Sequence, residues 1–286
     1  MKERSASETD YEVNCQNEYA PLKQVIAVSP RYMEIKEVIN KTQRLYLEEN
    51  INIEKAVEQH TDFIHILENE GATVVNLEAK KQLNEQVFTR DIGFTIGSKF
   101  FVSFMKKDIR RQEEQVLVDW LKERQISYYR FSTPSIEGGD VIVDNAKVWV
   151  GQSNRTSSTA IDILNEQLPD HTVTPILMRE DILHLDCIFN IISEDTALIY
   201  SPAMEEDSYN ILKSSYNLIE VTEEEQFHMG PNVLSIGHKK LISLPENKRL
   251  NQKLTRAGFE VLEVPFSEII KSGGSYRCST LPLLRK

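Results

Sequence analysis

The sequence predicts an α/β fold of repeated β-β-α-β units closed into a five-bladed pseudo-symmetric propeller. Two observations carry this: hairpin-like apolar stretches recur at near-constant spacing, and each is followed by a helical segment and then a short strand. The stretches begin at Asp91 (DIGFTIGSKFFVSF), Asp140 (DVIVDNAKVWVGQS), Asp186 (DCIFNIISEDTALIYSP) and Asn232 (NVLSIGHKKLISLP), so a unit of roughly 46–49 residues repeats.

Each helical segment has an apolar side. Residues 109–125 carry Val116, Leu117, Trp120 and Leu121, and SYYRF follows. Residues 155–168 carry Ala160, Ile163 and Leu164 before TPILM, and residues 247–257 carry Leu250, Leu254 and Ala257 before FEVLEVPF. A weaker helix over 204–216 precedes NLIEVT. The first unit is incomplete: LKQVIAVSP supplies one strand, residues 45–70 one helix with Ala56, Val57, Phe63, Ile64 and Leu67, and ATVVNL the last strand. Its missing partner is expected from the C-terminal RCSTLPLL, which would close the ring. No Pro/Gly/Ser linker interrupts the pattern, so residues 1–286 are read as one domain, with residues 1–17 a peripheral segment ahead of the first strand.

The chain has 286 residues, 40% of them hydrophobic, and its 33 Lys and Arg against 44 Asp and Glu give a formal charge of −11. That balance argues against nucleic acid as a partner and suits a small cationic ligand. The polar start MKERSASETDYEVN lacks an apolar core, and no run is long enough to cross a bilayer, so a soluble cytoplasmic protein without a membrane partner is expected. Three cysteines without paired spacing suggest neither a disulfide framework nor a thiolate zinc site. Zinc-protease, P-loop and dinucleotide motifs are absent, so no metal or cofactor is expected. Composition leaves a homo-oligomer open.

Several residues interrupt the apolar pattern. IEGGDVIV sets Glu137 and Asp140 around two glycines; alone, it reads as a tight turn whose glycines supply positive φ. In ILHLDCIFNII, His184 and Asp186 break a strand-like run, and their i, i+2 spacing would point both to one face, where two ionisable groups need partners or a water-filled cavity. VFTRDIGFTIG opens with Arg90, read as an exposed salt-bridge partner, and Asp91, which heads its hairpin as Asp140 and Asp186 head theirs. In GQSNRTSS, Ser153 or Asn154 would cap the next helix, with Arg155 either solvated or a bidentate clamp for a ligand carboxylate. Cys187 reads as inert core, Cys15 has no motif, and His60, His65, His171, His228 and His238 read as surface or packing residues. Cys278 follows a glycine turn among polar neighbours, a setting for an accessible, tunable thiolate. Cys278, His184 and Glu137 together would supply nucleophile, base and orienter.

In this order, FTRD, EGGDVIV…GQSNRTS, HLDCIF and RCSTLPLLR resemble the guanidino-group-modifying enzymes of the pentein fold: arginine deiminases, dimethylarginine dimethylaminohydrolases and amidinotransferases. The motifs span Phe88 to the C-terminus. The resemblance implies a five-bladed α/β propeller with an axial active site and no metal or organic cofactor. Carried over, Cys278 would attack the guanidinium carbon, His184 would act as acid and then base, and Glu137 would orient His184. Asp91 and Asp186 would grip the guanidinium, Arg155 would hold the substrate carboxylate, and Asp140 would be structural. FTRD, HLD and RCSTLPLLR are most similar to arginine deiminases, whereas the chain length is similar to the dimethylarginine hydrolases. The expected activity is hydrolysis of arginine or an N-substituted arginine to citrulline, with amidino transfer or a catalytically silent, ligand-binding propeller as the alternatives.

Overall fold

Five separate three-stranded sheets, each from one repeat, make up the architecture of the computed structural model, which describes residues 11–286. The first repeat contains β1 (Leu22–Val28), α1 (Lys41–Tyr46), α2 (Ile53–Asn69) and β2 (Thr73–Leu77). The second contains β3 (Gly93–Ile96), β4 (Lys99–Val102), α3 (Arg111–Glu123) and β5 (Tyr128–Arg130). The third contains β6 (Val141–Asp144), β7 (Lys147–Gln152), α4 (Ser158–Gln167) and β8 (Thr172–Leu177). The fourth contains β9 (Phe189–Ile191), β10 (Thr196–Ile199), α5 (Glu206–Ser215) and β11 (Asn217–Glu220). After α6 (Glu223–Phe227), the fifth contains β12 (Leu234–Gly237), β13 (Lys240–Ser243), α7 (Lys248–Arg256) and β14 (Glu260–Glu263). Finally β15 (Leu281–Arg285) returns to the first sheet.

In every complete repeat the first strand pairs antiparallel with the second, which pairs parallel with the third across its helix. A parallel neighbour needs a crossover, and the helix supplies it. The first strands are buried along their whole length, whereas β5, β11 and β14 are half-buried or exposed at every residue. First strands therefore line the centre and third strands the rim. β15 pairs antiparallel with β1, placing Leu281 opposite Ile26, and closes the ring as expected. This is the pseudo-symmetric propeller.

The region expected as one helix over 45–70 is broken in two. Asn50 is left-handed at φ 57°, and Asn52 caps α2 by accepting from the Lys55 N–H. The helix expected from residue 155 begins at Ser158, because Ser157 is the cap and accepts from the Ala160 N–H. Ser153 instead accepts from the backbone of Arg155 and Thr156 and donates to Asp140. The sequence reading passed over α6, although Thr222 and Glu225 form a reciprocal capping box there.

Residues 1–10 of the expected peripheral segment lie outside the described residues. Its remainder runs across strand ends: the Asn14 N–H donates to Leu283, and Cys15 bridges Gly97. Among the described residues, no helix is long and apolar enough to cross a membrane.

Candidate active site

A short turn opens each repeat's first strand, and these turns build the site. Gly138–Asp140 and Leu185–Cys187 are single 3-10 turns, as is Gly230–Asn232. His184 and Asp186 therefore do not lie in a strand, as their spacing suggested; the strand starts only at Phe189. Closing hydrogen bonds run from Asp91 to Phe88, Asp140 to Glu137, Cys187 to His184 and Asn232 to Met229. By this register the counterpart of Asp140 is Cys187, not Asp186, and the counterpart of Glu137 is His184.

The two glycines after Glu137 are needed for close approach rather than positive φ. A Cβ on Gly138 would lie 2.2 Å from the Arg90 carbonyl, and one on Gly139 would lie 2.7 Å from His184 Nδ1. Glu137 is thereby pressed against its partners. Its Oε2 lies 2.8 Å from His184 Nε2 and 3.3 Å from Arg155 Nη1, and its Oε1 accepts from the Lys106 N–H. The Thr156 hydroxyl accepts from the Glu137 N–H. Burial alone would raise the Glu137 carboxyl, but His184 and Arg155 hold it down at about 2. Burial pulls His184 down, yet Asp91, Glu137 and Asp140 together raise it to about 9. At neutral pH this is an imidazolium paired with a carboxylate.

Asp91 faces His184 Nδ1 with Oδ1 at 3.5 Å, an oxygen with no hydrogen-bond partner. Its other oxygen meets Arg110 Nη1 at 2.5 Å. Asp186 lies 3.6 Å from Cys278 Sγ and 3.5 Å from Arg277 Nε. Burial raises its carboxyl, opposed by Arg277 and His184. Asp140, whose Oδ1 accepts from the Leu185 N–H at 2.9 Å, holds the neighbouring turn. Cys278 is 3% exposed rather than accessible, and burial and then Asp186 push its thiol up, not down. Arg90, expected at the surface, is buried and pairs with Glu18 at 3.4 Å.

Cys278, His184, Asp91 and Arg155 line one small cavity with Phe88, Glu85, Arg110 and Gly274. Ile39, Asn40, Leu183 and Gly273 border both it and an outer cavity of about 690 Å³, so they lie as a cover between the two. Arg155 Nη2 donates to the Ile39 carbonyl at 2.8 Å, so it ties down this cover as well as Glu137.

Sequence reasoning missed Glu85, Arg110 and Glu113. Arg110 and Glu113 stand three apart at the start of a helix, like a solvated ion pair, yet both are buried, with Arg110 bridging Glu113 and Asp91. Burial raises Glu85 and Glu113 to about 7, against the pull of Arg110. Asp91, Glu137 and His184 also converge closely enough, within 4.8 Å, to share a cation. Arg110 and Arg155 already supply counter-charge to the two carboxylates.

Known proteins resemble this chain in sequence and fold. The chain is 49% identical to the uncharacterized protein YkgA of Bacillus subtilis, over 98% of both chains. It is 27% identical to the bifunctional arginine dihydrolase/ornithine cyclodeaminase ArgZ of Synechocystis, over 90% of this chain and 37% of that longer protein. The N-terminal domain of the cyanobacterial arginine dihydrolase ArgZ, as a cysteine-to-serine mutant bound to substrate, superposes with a TM-score of 0.85 at 25% identity, covering 92% of this chain and 98% of that one. The amidinotransferase SxtG of Microseira wollei, at 18% identity and a TM-score of 0.85, with 96% and 97% covered, shares the fold. Residues 29–285 match the family model described as N,N dimethylarginine dimethylhydrolase, eukaryotic, and the chain belongs to that family of the guanidino-group-modifying pentein superfamily.

Proposed function

We propose that the protein hydrolyses the guanidino group of arginine or an N-substituted arginine, releasing citrulline and ammonia or an amine. The observation that carries this reading is the convergence of a thiol, an imidazolium and a carboxylate at one cavity, Cys278, His184 and Asp91, with the Asp186 carboxylate 3.6 Å from the sulfur. The family match and the arginine dihydrolase relatives support it.

A guanidinium is resonance-stabilised and a poor electrophile, so the site must hold it as a cation while sulfur adds. The partnerless Oδ1 of Asp91 and the carboxylate of Asp186 accept its N–H groups. The buried thiol is neutral in the free protein, and the arriving cation supplies the positive charge that favours its ionisation. The thiol proton leaves to solvent, and Cys278 Sγ forms a bond to the guanidinium carbon. His184 then gives its proton to the departing nitrogen as the C–N bond breaks, leaving a cationic thiouronium on Cys278. Neutral His184 next removes a proton from water, whose oxygen bonds to the same carbon. Collapse breaks the C–S bond, restores the thiolate and releases the urea, its extra proton passing to the released ammonia or amine. Glu137 stabilises the imidazolium before the proton is given up and again once it re-forms. Arg155 is assigned to the substrate carboxylate, and an incoming ligand must take Nη2 from the Ile39 carbonyl.

The test is a panel of arginine, mono- and dimethylarginine, agmatine and citrulline, scored for citrulline and ornithine. Citrulline without an added amine, lost in C278S, is expected. Ornithine formed only with an acceptor amine would make the protein an amidinotransferase, and no turnover with any compound would overturn hydrolysis.

A further inference from the structure

Asn232 closes the turn that opens the fifth repeat's first strand, and its side chain is completely buried beside Cys278. Its Oδ1 accepts from the backbone N–H groups of Ser275 and Cys278, both at 3.2 Å. Its Nδ2 donates to the Asp186 carbonyl and to Cys278 Sγ, both at 3.1 Å. A primary amide has two N–H donors and two acceptor lone pairs, so the hydrogen-bonding capacity of Asn232 is filled. This fixes the orientation of the amide, because a flip would turn its NH2 against two backbone donors. The group facing the sulfur is therefore a donor, and a donor favours thiolate over thiol.

The larger influences oppose ionisation, since burial and the carboxylate of Asp186 3.6 Å away both favour the neutral thiol, while the Ser275 backbone N–H acts the other way. We propose that Asn232 is a catalytic residue of this site: it holds Cys278 Sγ in place and stabilises it as thiolate, when it attacks and again when it is expelled. The proposal rests on Cys278 being the nucleophile. The repeat explains how the amide reaches it. In the third repeat the equivalent Asp140 grips the Leu185 N–H of the following turn, and Asn232 grips the turn of Cys278 in the same way while adding an N–H for the sulfur.

The experiment measures iodoacetamide alkylation of Cys278 against pH, read by peptide mass spectrometry so that Cys15 and Cys187 do not contribute. The variants are N232D, which keeps acceptors for the two backbone N–H groups, and N232A, which carries no charge. In whichever variant unfolds cooperatively, alkylation at pH 8 is expected to slow about tenfold, its midpoint rising by about one pH unit. Turnover falls about 10–100-fold with KM within about threefold of wild type. A cooperatively folded variant whose Cys278 alkylates at the wild-type rate and midpoint overturns the proposal. Alkylation needs no guanidino substrate, so a wild type inert towards the substrate panel would sink the proposed reaction while this result stands or falls separately.

Discussion

Glu137 and His184 occupy the same position in two successive repeats, each the extended residue ahead of a 3-10 turn, and their side chains meet at 2.8 Å. Pseudo-symmetry thus brings two copies of one backbone position together near the axis. One copy carries the acid, the other the imidazole.

Asp186 has two opposed effects that one substitution separates. It offers negative charge to a cation but disfavours the thiolate 3.6 Å away. D186N is expected to lower kcat/KM for the guanidino substrate by about 100-fold or more, the loss of a buried charge-assisted contact. In the same variant, alkylation of Cys278 by neutral iodoacetamide should become faster at pH 8. Slower alkylation would show that Asp186 does not act on the sulfur by charge.

The charge of His184 links stability to pH. Its folded value of about 9 lies above the ordinary imidazole value, so its contribution is fully present below about 6.5 and is lost as pH rises through about 9. Urea unfolding across this window should show wild-type stability declining with pH. H184N should remove that part of the slope, and an unchanged slope in H184N would contradict the assignment.

Gly139 tests how tightly the imidazole is held. A Cβ there would lie 2.7 Å from His184 Nδ1 and 2.8 Å from Asp91 Oδ1. G139A is expected to cost about 1–3 kcal/mol of stability by overpacking and about 100-fold or more in turnover by displacing the ring. Near-wild-type turnover in G139A would mean that the ring has room to move.

Ring closure depends on β15. Leu281 and Leu283 are fully buried there, and Leu281 pairs with Ile26 of β1. L283A should lose about 2–5 kcal/mol in denaturant unfolding. Deleting residues 281–286 should abolish cooperative unfolding, because β1 would lose its antiparallel neighbour; a truncated chain that still unfolds cooperatively would refute closure as the source of stability.

The repeat was legible because strand and helix periodicities are local properties. DVIVDNAKVWVGQS announces its hairpin whatever surrounds it, and the amphipathic segment over 109–125 announces α3. The break between α1 and α2 was not visible, since Asn50 and Asn52 act through backbone geometry and capping that apolar spacing does not record. His184 and Asp186 came to light because they interrupt an apolar run, and Asp91 because it heads a hairpin. Glu137 and Arg155, set among glycine or polar neighbours, gained their roles only through the motif resemblance, and Cys278 stood out by its glycine turn. Arg110 and Glu113 have the spacing of an ordinary exposed i, i+3 pair, and Asn232 only heads an apolar hairpin stretch.

By itself, the sequence determined the β-β-α-β unit, its five-fold recurrence, closure by the C-terminal strand and the residue types available for chemistry. Tertiary structure decided what those residues are to one another. Packing the turns around the axis buried Cys278 beside Asp186 and aimed the Asn232 amide at its sulfur. It also made a cation of His184 and set Arg155 against both Glu137 and the Ile39 carbonyl. Charge state and partnership depend on distance and desolvation between segments far apart in the chain. Those quantities exist only once the ring is closed.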